Sequence, residues 1–318
     1  MINRELIRLK VIQITYAFYE SGMDSVERAE DELFKSLSQS HDLYLYLMQL
    51  IVEVHRIAER AVDTAESRFR RLGEGEPPSH KFINNKFVEQ LEVNATLQDF
   101  TEHQKKSWIA DEDFVRRLYK TIVQSDTYKE WMESPQVETT YEQQRDLWRK
   151  LYKNVIIGNE DLDQVLEEKN VYWNDDRFII DSFVLKTIKQ FEPQNGAHQE
   201  LLPEFRDDED REFARKLLRM SLLSAETYRT LISQFLHNWE LDRLAFMDLL
   251  ILQTAVAELF AFPRIPINVT INEYVEIAKM YSTPRSGAYI NGLLDAIAHR
   301  LIEEGKLKKD IAPKGNNK

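Results

Sequence analysis

The stretch "INEYVEIAKMYSTPRSGAYINGLLD", Ile271 to Asp295, reads as two short amphipathic helices around a tight turn. Thr270 and Glu273 form an S/T-x-x-E capping box, with Val269 and Tyr274 as a hydrophobic staple across it. Ile271, Tyr274, Val275, Ala278 and Tyr281 then fall on one face at 3–4 spacing. "STPRSG" ends the first helix, because Pro284 cannot continue it and Gly287 permits positive φ. The second helix is predicted to bury Tyr289, Ile290, Leu293, Leu294, Ile297 and Leu301. Gly292 within it costs roughly 1 kcal/mol against alanine, which close approach of another helix would explain. The turn sets Arg285, Ser286 and the Tyr289 ring near the rim of a helical bundle.

The rest of the chain agrees with an all-α fold. Only nine glycines and nine prolines occur in 318 residues, too few for turn-rich sandwiches or barrels. Hydrophobic residues make up 43%, enough for a substantial core. Cysteine is absent, which removes disulfides, thiolate zinc sites and thiol nucleophiles, and fits a reducing compartment. "MINRELIRLK" lacks a signal-peptide layout, so a cytoplasmic location is expected. Leu244 to Phe262 is the most apolar segment, but Asp248 and Glu258 interrupt it. It is expected to be a buried core helix, not a membrane span.

Working outward, Asn3 is a good N-cap for a helix over residues 3–20, ended by Gly22 in the C′ position. Arg4 and Arg8 mark its more polar stripe. Helical periodicity resumes from Val26 to about Arg71 and stops at "GEGEPPSHK". Shorter helices follow between Phe82 and Leu202, with recurrent aromatics (Trp108, Trp131, Trp148, Tyr152 and Trp173 among them) read as core. "NVYWNDDRFII" is the one candidate for a brief extended piece. "PEFRDDEDRE", Pro203 to Glu212, reads as a charged hinge.

No catalytic or metal chemistry is legible. None of the seven histidines pairs with another at i+3 or i+4. There is no P-loop, no G-x-G-x-x-G and no G-x-S-x-G. Catalytic residues, metal ligands, cofactor and small-molecule substrate are all assigned as none. The net charge of −12 argues against non-specific nucleic-acid binding by the chain as a whole. Both ends are nonetheless locally basic: Arg4, Arg8 and Lys10 at the start, and Lys306, Lys308, Lys309, Lys314 and Lys318 at the close.

Three segments carry a family resemblance: "ILQTAVAEL" (Ile251 to Leu259), "PINVTINEYVEIAKMY" (Pro266 to Tyr281) and "SGAYINGLLDAIA" (Ser286 to Ala298). In order and spacing they resemble the C-terminal half of the NusB family. "VIQITYAFYESG" (Val11 to Gly22) is similar to the family's first helix, with Gln13 and Tyr16 in register. The implied architecture is a NusB-like helical bundle split by a large all-helical insertion. Residues 1–35 and 205–305 would form the two parts of the NusB-like domain, 36–204 the insertion, and 306–318 a basic, disordered tail.

The resemblance implies a non-enzymatic transcription antitermination factor. It would pair with the ribosomal protein NusE, bind boxA RNA of ribosomal RNA leader transcripts, and join the RNA polymerase antitermination complex. Carried over residue by residue, Asn3, Arg4, Arg8 and Lys10 are expected at the RNA, the three cations on phosphates. Gln13 is assigned either to the RNA or to packing, and Tyr289 either to base stacking or to the core. Arg285 supplies a cation where relatives are often acidic or polar. Tyr16, Asp248 and Glu258 are expected at the partner interface, with a structural role, its hydroxyl reaching a neighbour, as the alternative for Tyr16, and an internal helix-capping role as the alternative for Glu258. The family's first helix usually opens with an arginine-rich run. Here it is thinned to Arg4 and Arg8 with Lys10 nearby, which implies fewer phosphate contacts. Two other readings stay open: a protein scaffold that has lost RNA binding, and, remotely, part of an RNA-modifying enzyme.

Overall fold

The structure, a computed structural model, describes residues 2–73, 77–103, 107–135, 138–173, 175–236, 244–283, 285–307 and 309. It is all-α: among the described residues the only β pairing is an isolated parallel bridge between Ile2 and Phe205. The chain divides into two compact units, one of residues 2–37 and 205–318, the other of residues 38–204.

In the first unit, helix α1 (Arg4–Glu20) opens at Asn3, whose side chain accepts the Leu6 amide at 2.9 Å. It closes at Ser21, with Gly22 at φ 63° in the left-handed region that glycine adopts freely. Helix α2 (Val26–Leu72) gives its first turns to this unit. Helices α10 (Asp208–Leu223), α11 (Ala225–Ser233), α12 (Phe246–Ala261), α13 (Ile267–Tyr281) and α14 (Ser286–Glu303) complete it. Helix α12 is apolar around its whole circumference, so it must be enclosed. It packs against α1, α10, α11, α13 and α14, and is the central helix of the unit. Helix α1 lies against α10 and α12, and α13 pairs with α14. No helix among the described residues is long and apolar enough to cross a membrane.

Several local expectations need correcting here. The charged stretch read as a hinge contains the start of α10: Asp207 caps it by accepting the Asp210 amide, and Asp210 is itself buried. Helix α13 starts at Ile267 with Pro266 as N-cap, so Thr270 lies inside the helix and caps nothing. The Pro266 carbonyl accepts the Val269 and Thr270 amides, and its fixed φ preorganises the turn. The Thr270–Glu273 pair and the Val269–Tyr274 staple therefore do not form at a helix start. Gly292 has no atom within 4 Å of where a Cβ would sit, so no helix approaches it closely. The close approach is at Gly287, which has no positive φ; a Cβ there would meet Lys279 Cγ at 3.0 Å. Pro284 lies outside the described residues.

The second unit holds the remainder of α2 with helices α3 (Lys86–Glu92), α4 (Ala95–His103), α5 (Glu112–Gln124), α6 (Asp126–Glu133), α7 (Tyr141–Leu151), α8 (Glu160–Lys169) and α9 (Arg177–Gln190). Its core is aromatic. Trp108, Trp148, Tyr44, Tyr152, Phe82, Phe87, Phe100 and Phe191 are fully buried, and Tyr46 stacks on Trp108 at 4.1 Å. The expected extended piece is helical instead. Val171–Trp173 is one 3-10 turn, and Ile179, Ile180, Phe183, Val184 and Ile188 continue "RFII" at helical spacing into α9. The proposed basic tail is described only as far as Lys306, Leu307 and Lys309; the rest lies outside the described residues.

Candidate nucleic-acid interface

The ten residues singled out in the sequence separate into three groups, and helix geometry explains the division. Leu6, Ile7, Leu9, Val11, Ile12 and Ile14 on α1 are all buried, so the middle of the helix has no solvent face. Arg8 and Lys10 lie in that stretch and are 3% and 2% exposed. The Arg8 guanidinium clasps Glu258 of α12 with two parallel bonds, Nε to Oε2 at 2.7 Å and Nη2 to Oε1 at 2.9 Å. Its Nη1 donates to Glu273 of α13 at 2.9 Å. Glu258 is fully enclosed and also accepts the Thr270 hydroxyl at 2.9 Å and the Tyr274 hydroxyl at 3.1 Å.

Burial alone would lower the Arg8 pKa. The bond to Glu258 and the charge behind it reverse that and hold it above its ordinary value. The Glu273 carboxyl is raised by burial, with Arg8 opposing, and burial followed by the charge of Glu258 pushes the Tyr274 hydroxyl well up. A bidentate, desolvated guanidinium–carboxylate pair with its remaining oxygen sites satisfied is an internal tie. Arg8 and Lys10 are therefore not free to meet phosphates, and Glu258 is not free to meet a partner. All three expectations are corrected by one fact: an apolar stretch wrapped around a helix leaves its charges nowhere to go but inward.

At the N-terminal end of α1, Asn3 is occupied as the cap. Arg4 keeps 28% of its side-chain surface and pairs with Asp210 at 2.9 Å and Glu209 at 2.8 Å. Its guanidinium also lies over the Phe213 ring, 4.9 Å from the centroid.

The other residues converge where the second half of α1 meets the starts of α12 and α14. The Gln13 amide donates to the Tyr281 hydroxyl at 3.4 Å. Tyr16, three residues on, is 39% exposed and rests against Phe246 at 5.8 Å between ring centroids. Two residues past Phe246, Asp248 is buried and accepts the Ser286 hydroxyl at 2.9 Å. It is covered by the first turn of α14 and is not a surface contact as expected. From that same turn Arg285 is exposed and Tyr289 is 40% exposed. Partial burial, and then the charge of Asp248, raise the Tyr289 hydroxyl pKa. Tyr289 was also expected among the buried residues of α14, and it stands outside them.

The result is a surface of tyrosine and phenylalanine rings with the Arg285 guanidinium, which makes no ion pair with a described residue, over a buried carboxylate. Such rings can stack on unpaired bases, and the cation can meet a phosphate. Phe246 and Tyr281 belong to this surface but were not singled out as site residues. Tyr281 reads as core because it falls seven residues after Tyr274; its place in the last turn of α13 leaves it only half-covered. Phe246 opens an apolar run, and nothing local marks the first turn of that run as rim. Among the described residues no group of three or more His, Cys, Asp or Glu is placed to hold a metal ion.

Comparison with known proteins places this chain in a family. The model described as "NusB family" matches residues 182–299. The transcription antitermination protein NusB of Salinibacter ruber is 38% identical over 132 residues, covering 40% of this chain and 82% of the relative. The chain belongs to the NusB family. The NusB of Dictyoglomus turgidum is 38% identical over 124 residues, which are 38% of this chain and 86% of that one. A solved structure of T. maritima NusB is 37% identical and covers 37% of this chain and 82% of its own, with a TM-score of 0.29. The family match reaches back into α9 and ends within α14, so it contains Asp248, Glu258, Arg285 and Tyr289 but not α1. At 318 residues the chain is more than twice the length of the NusB segments it matches.

Proposed function

We propose that this NusB-family chain is a transcription antitermination factor that pairs with the ribosomal protein NusE and binds boxA RNA of ribosomal RNA leader transcripts. It acts by assembly and not by catalysis: the pair captures boxA as it emerges and ties it to the RNA polymerase complex in the cytoplasm. Residues 36–204 are an insertion in the NusB-like domain, and 306–318 a basic tail. The observation that carries the reading is the relation to proteins named transcription antitermination protein NusB along more than four fifths of their length. The ring-and-guanidinium surface of Tyr16, Phe246, Tyr281, Arg285 and Tyr289 gives the RNA a chemically suited place to lie. Gln13 sits at its edge, and Arg4 remains the phosphate contact of α1 once it exchanges its exposed acidic partner.

One observation favours a second reading, a scaffold that binds NusE without RNA. With Arg8 and Lys10 enclosed and Arg4 paired to two carboxylates, α1 offers fewer cations than its sequence promises. Fluorescence anisotropy with labelled boxA RNA, with and without NusE, separates the two. The leading reading predicts saturable binding that tightens when NusE is added. Co-purification with NusE and no RNA binding by the pair would establish the scaffold and refute the RNA reading.

A further inference from the structure

The insertion carries a cationic stripe that the NusB-like unit does not explain. Past Ala58 the long helix α2 emerges from the core of its unit, and most residues of 59–72 are exposed. At 3.6 residues per turn, Arg60, Thr64, Ser67, Arg68 and Arg71 fall within about 100° of arc. Within residues 59–72 no acidic residue of the helix lies in that sector. Glu59, Asp63 and Glu66 fall on another face with Arg70. That acidic face is partly neutralised on the spot. Glu66 accepts His80 at 2.6 Å and Arg70 at 2.5 Å, and these bonds hold its carboxyl below the usual range.

On the cationic face, Arg68 and Arg71 are exposed and make no ion pair with a described residue. Arg60 lies 3.5 Å from Glu112 at the start of α5, which it shares with Arg116. Favourable placement of cations in a helix's last turn accounts for Arg70 and Arg71. It does not account for Arg60 and Arg68, one to three turns further in. A row of guanidiniums and hydroxyls that meets one described carboxylate, Glu112 at Arg60, on a chain whose net charge is −12, is suited to a sugar-phosphate backbone.

We infer that the insertion is a second RNA-binding element, holding the backbone of RNA that flanks boxA on the Arg60–Arg68–Arg71 face of α2. This rests on the boxA reading above. It goes beyond it by giving the inserted unit a role and a ligand: phosphates outside the recognised sequence, bound without base specificity.

The test uses the full chain with NusE and two RNAs, boxA alone and boxA with about twenty flanking nucleotides on each side. Wild type is expected to bind the longer RNA more tightly. Arg60→Gln/Arg68→Gln/Arg71→Gln should lose about tenfold or more on the longer RNA and nothing on the short one. Its log–log salt slope on the longer RNA should fall by about 2, three cations at about 0.7 each for single strands. The matching triple lysine variant should keep that slope, since it keeps the charge. Equal affinities and slopes for wild type and the glutamine variant on the longer RNA would overturn the inference, as would an equal loss on both RNAs. A wild-type chain that binds neither RNA would instead remove the function on which the inference rests.

Discussion

Arg8 is the residue on which the reading turns. In sequence it looks like the survivor of an arginine-rich RNA-binding run. In the fold its guanidinium is held by Glu258, 250 residues away, and by Glu273. Arg8→Met leaves Glu258 enclosed with only the Thr270 and Tyr274 hydroxyls, and should destabilise the protein by about 3–5 kcal/mol. Arg8→Met/Glu258→Leu removes both charges and should recover a large part of that. Urea unfolding checks this; a single variant within about 1 kcal/mol of wild type would show the pair to be dispensable. His41 offers a second test in the other unit. Burial lowers its pKa, against the opposing pull of the Leu202 carbonyl that it bonds at 2.8 Å. The unfolded chain then binds the proton more readily than the folded one, so stability falls as pH drops below about 6.5. His41→Gln keeps a donor for that carbonyl and should flatten this part of the pH profile. An unchanged profile would mean that His41 is not the titrating group.

Among the elements, the α13–α14 pair shows how far local sequence carries. Gly292 has open space around it, so Gly292→Ala should stabilise the protein by up to about 1 kcal/mol through helix propensity. Gly287→Ala must displace the Lys279 side chain and should gain less or lose stability. Thermal unfolding of both variants decides it, and the reverse order would contradict the packing. The sequence assigned the close approach to the wrong glycine because spacing reports which face a residue occupies, not how near the facing helix comes. The capping box failed for a related reason. Thr270-x-x-Glu273 is a four-residue pattern, and a proline four residues upstream had already supplied the cap. What was legible was periodic: the bounds of α1, the run of α2 and the enclosed α12 follow from apolar spacing and composition. The burial of Arg8 and Lys10 was misread as a polar stripe, although Leu6, Ile7, Leu9, Val11, Ile12 and Ile14 around them carried the signal for it. The partners Glu258 and Glu273 were not legible, because nothing local records a contact across 250 residues. The same limit hid the meeting of Phe246 and Tyr281 with Tyr16.

Across the whole molecule, charge and surface chemistry work against each other. A chain of net charge −12 repels RNA as the two approach to within about a Debye length, salt screening the repulsion further out, and on the proposed reading recognition must come from short-range stacking and a few guanidiniums. This explains how an acidic protein can belong to a family whose members are named for antitermination without presenting a broad basic face. It assigns the burden to Tyr16, Phe246, Tyr281, Arg285 and Tyr289, with α1 contributing rings more than cations. The most direct measurement is ultraviolet crosslinking of boxA RNA to the protein–NusE pair, with the linked peptides read by mass spectrometry. The account predicts crosslinks at Tyr16, Phe246, Tyr281 or Tyr289, and their loss in Tyr289→Ala/Arg285→Ala. Efficient crosslinking that leaves these four rings untouched and persists in that variant would contradict it.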